Sequence, residues 1–128
     1  MRKNLTAFSI LILLTLFCSG MTLAQKNDKM IRIARITVDP AQLDAYKTAL
    51  KEGVEAAVSK EPGVITLYAV YDKKQPTHVT VFEVYADRAA YETHIMTSHF
   101  LKYKNGTKDM VKSLELIDVD PIALATKP

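Results

Sequence analysis

The feature that most limits what this chain can become is a change of hydrophobic period that occurs twice, in the same order. Met30 to Val38 alternates at the two-residue period of a strand, and Leu43, Tyr46, Leu50, Val54 and Ala57 then recur at helical spacing. Asp39 is a natural helix N-cap, Pro40 suits the first helical position, and Gln42 stands three residues after the cap. Lys47, Lys51, Glu52, Glu55 and Lys60 lie mainly off the apolar stripe and face water, and Pro62-Gly63 stops the helix. Val64 to Tyr71 is a second strand, rich in β-branched and aromatic residues. Asp72 to Pro76 is a polar connection, and Thr77 to Tyr85 is a third strand. Asp87 caps a second helix from Arg88 to about Thr97, and Ser98 caps a short further turn through Lys104, broken by Asn105-Gly106. Val111 to Val119 is the fourth strand.

Two βαβ units in tandem define an α+β domain of the ferredoxin-like pattern, an antiparallel four-stranded sheet with its helices on one face. The other face would normally meet water and carry polar residues. Here the strands place apolar residues on both faces, with Ile31, Ile33 and Ile36 on the first and Val79, Val81, Phe82 and Val84 on the third. A second copy of the chain is expected to cover the open face, giving a homodimer.

The N-terminus reads as a targeting segment. Met1 to Asn4 is basic, Leu5 to Phe17 is apolar apart from Thr6, Ser9 and Thr15, and Thr22 and Ala24 supply the small residues of a cleavage site. Residues 1–24 are therefore expected to be a secretory signal peptide cut before Gln25 and sent to the bacterial periplasm. The apolar run is shorter than the roughly 20 residues a membrane span needs, so no stable insertion is expected after cleavage. A lipoprotein cut before Cys18 is disfavoured by the bulky Phe17. Residues 25–29 then form a flexible polar lead, 30–119 the folded domain and 120–128 a tail.

Cleavage changes the inventory. The chain has 17 Lys and Arg against 14 Asp and Glu, and losing Arg2 and Lys3 leaves a balance of +1. A nearly neutral domain argues against an electrostatic nucleic-acid role. The single cysteine, Cys18, also leaves, which removes any disulfide, thiol nucleophile or thiolate metal site.

Few residues stand out as chemical. His94 and His99 flank the break in the second helical region, whereas His78 lies on a strand with no reason to converge on them. A zinc site would need a third ligand and outer support, so no metal site is expected. Glu83 sits mid-strand among Val81, Phe82, Val84 and Tyr85, where a carboxylate needs a partner. It reads either as a structural acceptor or as a pocket carboxylate. The six tyrosines, Tyr46, Tyr68, Tyr71, Tyr85, Tyr91 and Tyr103, suit a core or an interface, and two or three could line a slot for a flat ligand. No nucleophile elbow, phosphate-cradling loop or dinucleotide fingerprint is present.

Glu61-Pro62-Gly63, Asp72, Pro76, Phe82-Glu83-x-Tyr85-x-Asp87-x-Ala89-Ala90, His94 and Thr97-x-His99-Phe100 together resemble the antibiotic biosynthesis monooxygenase family, which includes quinol monooxygenase-like proteins. The resemblance covers nearly all of Met30 to Val119. It implies a ferredoxin-like dimer with packed sheets and a pocket between sheet and helices in each subunit. It also implies oxidation of a small aromatic or quinol-like substrate by O₂ without metal, flavin or haem. By the same resemblance His99 would accept a proton, and Glu83 would orient it or the substrate. Tyr68, Tyr85, His94, Phe100 and Tyr103 would contact the substrate. A non-catalytic small-molecule-binding or stress-related dimer is the alternative, and a haem-binding module comes third.

Overall fold

The computed structural model describes residues 28–128. The expected signal peptide, its cleavage site and most of the polar lead lie outside the described residues. Eight elements follow: β1 (Met30–Val38), a 3₁₀ turn (Pro40–Gln42), α1 (Leu43–Lys60), β2 (Val64–Tyr71), β3 (His78–Tyr85), α2 (Arg88–His94), α3 (Ser98–Thr107) and β4 (Val111–Val119). The strands form one four-stranded sheet in the order β2-β3-β1-β4, antiparallel throughout, which is the ferredoxin-like arrangement.

Register decides which side chains reach the helices. Ala34 lies opposite Val81 and Ile36 opposite Val79, and these four residues are buried with Val38, Tyr46 and Leu50 in one core. The stripe expected on α1 therefore packs on the even positions of β1 and the odd positions of β3. By the same alternation Arg32 and Glu83 face the helices directly opposite each other. A bulge between Val64 and Thr66 puts one extra residue into β2, so Val64 and Leu67 share the helix-facing side. The other face carries Ile33, Tyr68, Val70, Phe82 and Ile117, with Tyr68 64% and Val70 58% exposed. Both sheet faces are thus apolar, as the strand pattern indicates.

Four local expectations are corrected. The second helix, expected to reach about Thr97, ends at His94, because the Thr97 hydroxyl bonds back to the His94 carbonyl and starts α3. Pro40–Gln42 is a 3₁₀ turn with the α-helix proper starting at Leu43, although Asp39 does cap it by accepting from the Ala41 N–H. The cap of α3 is Thr97, whose side chain accepts from Phe100 N–H, rather than Ser98. Asn105-Gly106 does not break α3, which runs on to Thr107. Gly106 meets open space, so its helix penalty is about 1 kcal/mol. Thr107 offsets it, being 2% exposed and donating its hydroxyl to the Tyr103 carbonyl.

Candidate functional site

Between the sheet and its helices lies a cavity of about 300 Å³, within the range of small-molecule pockets. Ala34, Ile36, Leu50, Val54, Leu67 and Val81 give it an apolar body. Leu114 and Leu116 of the edge strand β4 also line it and stay about half exposed, marking its open side. Arg32, Glu83, Tyr85, Tyr91 and His94 cluster on the remaining wall. That wall is built where the ends of β1 and β3 meet α2.

Each polar group there has a defined state. The Arg32 Nε donates to Asp118 at 2.7 Å, and its guanidinium lies 4.4 Å from the centre of the Tyr91 ring. The hydrogen bond to Asp118 raises the Arg32 pKa further and holds the Asp118 carboxyl below its usual range. Two residues apart on one strand face, Tyr85 donates its hydroxyl to Glu83 Oε2 at 2.8 Å. Burial pushes the Glu83 carboxyl above its ordinary pKa, partly offset by the Tyr85 bond and the Arg32 charge. Burial, then the Glu83 charge, raises the Tyr85 phenol well beyond its usual value. Tyr85 is therefore a hydrogen-bond donor here and not a base. Tyr103 pairs its hydroxyl with that of Tyr46 at 2.7 Å, and Tyr46 is fully buried.

The histidines meet Glu61, which the sequence offered as part of the family motif but not as a site residue. Glu61, just past the end of α1, places Oε2 2.8 Å from His94 Nδ1 and 2.6 Å from His99 Nε2. All three side chains are at most 15% exposed. With Glu61 ionised, both facing nitrogens carry hydrogens and donate to it. Local folding explains the convergence. His94 ends α2, and Thr97 donates its hydroxyl to the His94 carbonyl while capping α3, so His99 starts the next helix alongside it. His94 also packs against the Tyr85 and Phe100 rings, at 5.4 and 5.0 Å between centres.

His94 Nε2 has no protein partner among the described residues, yet no fully buried side-chain nitrogen or oxygen there lacks one. His94 lines the cavity, and Nε2 is the ring nitrogen that Glu61 leaves free. The ring thus has a carboxylate on one nitrogen and an uncommitted acceptor on the other.

Of the residues the sequence pointed to, Glu83, Tyr85, His94, Phe100 and Tyr103 line the cavity. His99 is not among the lining residues and stands behind Glu61. Glu83 is bonded to Tyr85 and not to a histidine. Tyr68 pairs with Phe82 on the opposite sheet face and lines a separate groove with Lys47, Val70 and Tyr71. Its neighbour Leu67 takes the cavity-facing position instead. Glu61 and Arg32 were missed as site residues. Arg32 could have been found, as a lone charge alternating with Ala34 and Ile36 on an apolar strand face.

Fold and site together define a ferredoxin-like α+β domain with a largely apolar cavity between sheet and helices, of a size that suits a small molecule. The chain belongs to the antibiotic biosynthesis monooxygenase family, whose model matches residues 30–106. A Bacteroides thetaiotaomicron protein named for that family is 51% identical, with a TM-score of 0.76 over 79% of this chain and 96% of its own. A Pseudomonas aeruginosa protein is 25% identical, with a TM-score of 0.69 over 75% of this chain and 96% of its own. A Nitrosomonas europaea protein at 19% identity shares the fold, with a TM-score of 0.71 over 76% of this chain and 93% of its own. No curated protein matches the chain. Among the described residues no helix is long and apolar enough to cross a membrane.

Proposed function

We propose that the protein is a cofactor-independent monooxygenase that oxidises a small phenolic or quinol-type aromatic with O₂ in this cavity. The observation that carries the reading is His94, which lines the cavity with Nδ1 bonded to Glu61 and Nε2 left without a protein partner among the described residues. A phenolic hydroxyl beside Nε2 gives up its proton to the imidazole. The resulting imidazolium is stabilised by Glu61, the same division of roles as base and orienting carboxylate in a catalytic triad. The electron-rich anion then reduces O₂ directly. For a hydroquinone the balance closes without any other reductant: one oxygen atom enters the ring to give a hydroxyquinone, the other leaves as water, and all four electrons come from the substrate. The apolar walls hold the ring and exclude water. Glu83 and Arg32 face each other across β3 and β1 and are placed to orient the substrate oxygens. The resemblance that named His99 as the proton acceptor is thus revised to His94, with His99 a positioning residue acting through Glu61.

We further infer that the chain is exported, matures after Ala24 and works in the periplasm as a homodimer. The apolar sheet face bearing Ile33, Tyr68, Val70, Phe82 and Ile117 supports the dimer. The test of function is oxygen uptake by the mature protein with a simple hydroquinone. Wild type is expected to consume one O₂ per quinol, and His94→Asn to lose about 10²-fold or more of the rate. A folded His94→Asn with unchanged turnover removes this mechanism. Thermal stabilisation by the aromatic with no oxygen consumed in wild type would instead mark a binding protein.

A further inference from the structure

We propose that Glu61, His94 and His99 form a binding site for one divalent first-row transition-metal ion, and that the ion switches off His94 as a proton acceptor. Two imidazole nitrogens converge on a single oxygen of Glu61, and the three donor atoms lie within 4.8 Å of one another. Two histidines and one carboxylate are a donor set that suits zinc or iron(II), and imidazole disfavours magnesium and calcium. The three side chains are 9%, 11% and 15% exposed, so little water competes for the donors.

The geometry needs a side-chain adjustment. Bonds of 2.0–2.2 Å at angles between 90° and tetrahedral put donor atoms about 2.8–3.6 Å apart. The Glu61 oxygen sits 2.8 and 2.6 Å from the two nitrogens, and the two nitrogens lie within 4.8 Å of each other, so side-chain rotation that opens the first two spacings and closes the third admits an ion. No net proton is released at neutral histidines, because each imidazole only changes tautomer. That tautomer change is the consequential step. A neutral imidazole carries one hydrogen, and a metal on His94 Nδ1 forces it onto Nε2. That nitrogen then donates a hydrogen bond and can no longer accept the substrate proton. Metal and substrate proton are therefore alternatives at one ring.

The inhibitory part rests on the function proposed above; metal binding itself does not. Tag-free, chelator-treated mature protein is titrated with CoCl₂ by visible absorption and with ZnCl₂ by calorimetry. The expected result is one ion per chain, with Co²⁺ ligand-field bands. Affinity should fall more than about a hundredfold in His99→Ala and in Glu61→Gln, and stay unchanged in His78→Ala. Affinity that is the same in all four proteins, or absence of the Co²⁺ bands in wild type, overturns the site. Wild type alone gives a second measurement if a variant misfolds. Zinc must shift the imidazole NMR signals of two histidines and leave the third in place, and any other pattern overturns the assignment. Oxygen uptake by zinc-loaded against metal-free protein then reads the switch. Unchanged uptake sinks the inhibition, whereas binding without uptake in either form sinks only the oxygenase reading.

Discussion

Replacing Gly63 by alanine would put a methyl carbon 2.5 Å from the Cβ of Ala90 and 3.4 Å from its Cα. Carbons in ordinary contact sit about 3.5–4.0 Å apart, so strand and helix must separate by roughly 1 Å. Neither side is free to move. Val64 pairs with Tyr85, the Gly63 carbonyl accepts from Ala86 N–H at 2.8 Å, and Asp87 fixes the start of α2 through Ala90 N–H. Gly63 does not have a positive φ, so the constraint is space and not backbone conformation. Overpacking of this kind costs about 1–3 kcal/mol, and the loss of glycine freedom in the unfolded chain returns about 0.4–1 kcal/mol. The net expectation is a loss of about 1–2 kcal/mol, or a fall of roughly 5–15 °C in Tm for a domain of this size. His94 lies one helical turn beyond Ala90, so the same displacement loosens its bond to Glu61 and lowers oxygen uptake. Ala90→Gly removes the opposing methyl at a helix penalty of about 0.5–1 kcal/mol. The double variant should therefore be more stable than the two single effects added, with a coupling of about 1 kcal/mol in a thermal or urea denaturation cycle. A Gly63→Ala protein that melts within about 2 °C of wild type, or no recovery in the double variant, refutes the packing argument.

Other expectations are as direct. Burial raises the Glu83 pKa above its ordinary 4.5, so wild-type stability falls as pH climbs from that value through the folded-state one. Glu83→Gln keeps an acceptor for Tyr85 without the buried charge, and should melt higher than wild type at pH 7, with the gap closing as the pH falls below the ordinary carboxylate range. Tyr46→Phe strips the buried partner from the Tyr103 hydroxyl and should cost about 0.5–1.5 kcal/mol in urea denaturation, with no change of fold by circular dichroism. Tyr68→Glu puts a charge on the apolar sheet face where the side chain is already 64% exposed in one subunit. On the proposed homodimer, it should leave the chain folded and shift light scattering from dimer to monomer.

Much of the architecture could be read from residue pattern because it is local. Caps, periods and turn residues placed β1, β2 and β4 at their observed limits, and Asp39 and Asp87 cap as their residue types suggest. Where local rules failed, burial won: Asn105-Gly106 continues a helix because Thr107 and Tyr103 pack beneath it. The site was harder because its partners are far apart in sequence. Glu61 lies 33 residues from His94 and 38 from His99. Its position after a helix, before Pro62-Gly63, read as a helix stop and hid the side chain's role. His94 and His99 look equivalent on either side of a helix break, and only the three-dimensional path of Thr97 shows which ring faces the cavity.

The cavity's own chemistry narrows the choice of base further. Arg32 can only donate. Tyr85 is held protonated and donates to Glu83, and Tyr103 shares its hydroxyl with Tyr46. Tyr91 lies against the Arg32 guanidinium, and as a phenol it is a weak base. The second oxygen of Glu83 and Nε2 of His94 are then the stronger candidate acceptors on the polar wall. Their surroundings differ. A negative charge on Glu83 is opposed by burial and faces Arg32, so it serves to accept a hydrogen bond and fix a substrate hydroxyl between them. A positive charge on His94 is met at once by Glu61, 2.8 Å away, which favours His94 as the base in the proposed mechanism. Amide replacement separates the roles. Glu83→Gln retains an acceptor and should lose only about tenfold in kcat/KM, whereas His94→Asn should lose about 10²-fold or more. The reverse ranking would move the base from the helix junction to the strand.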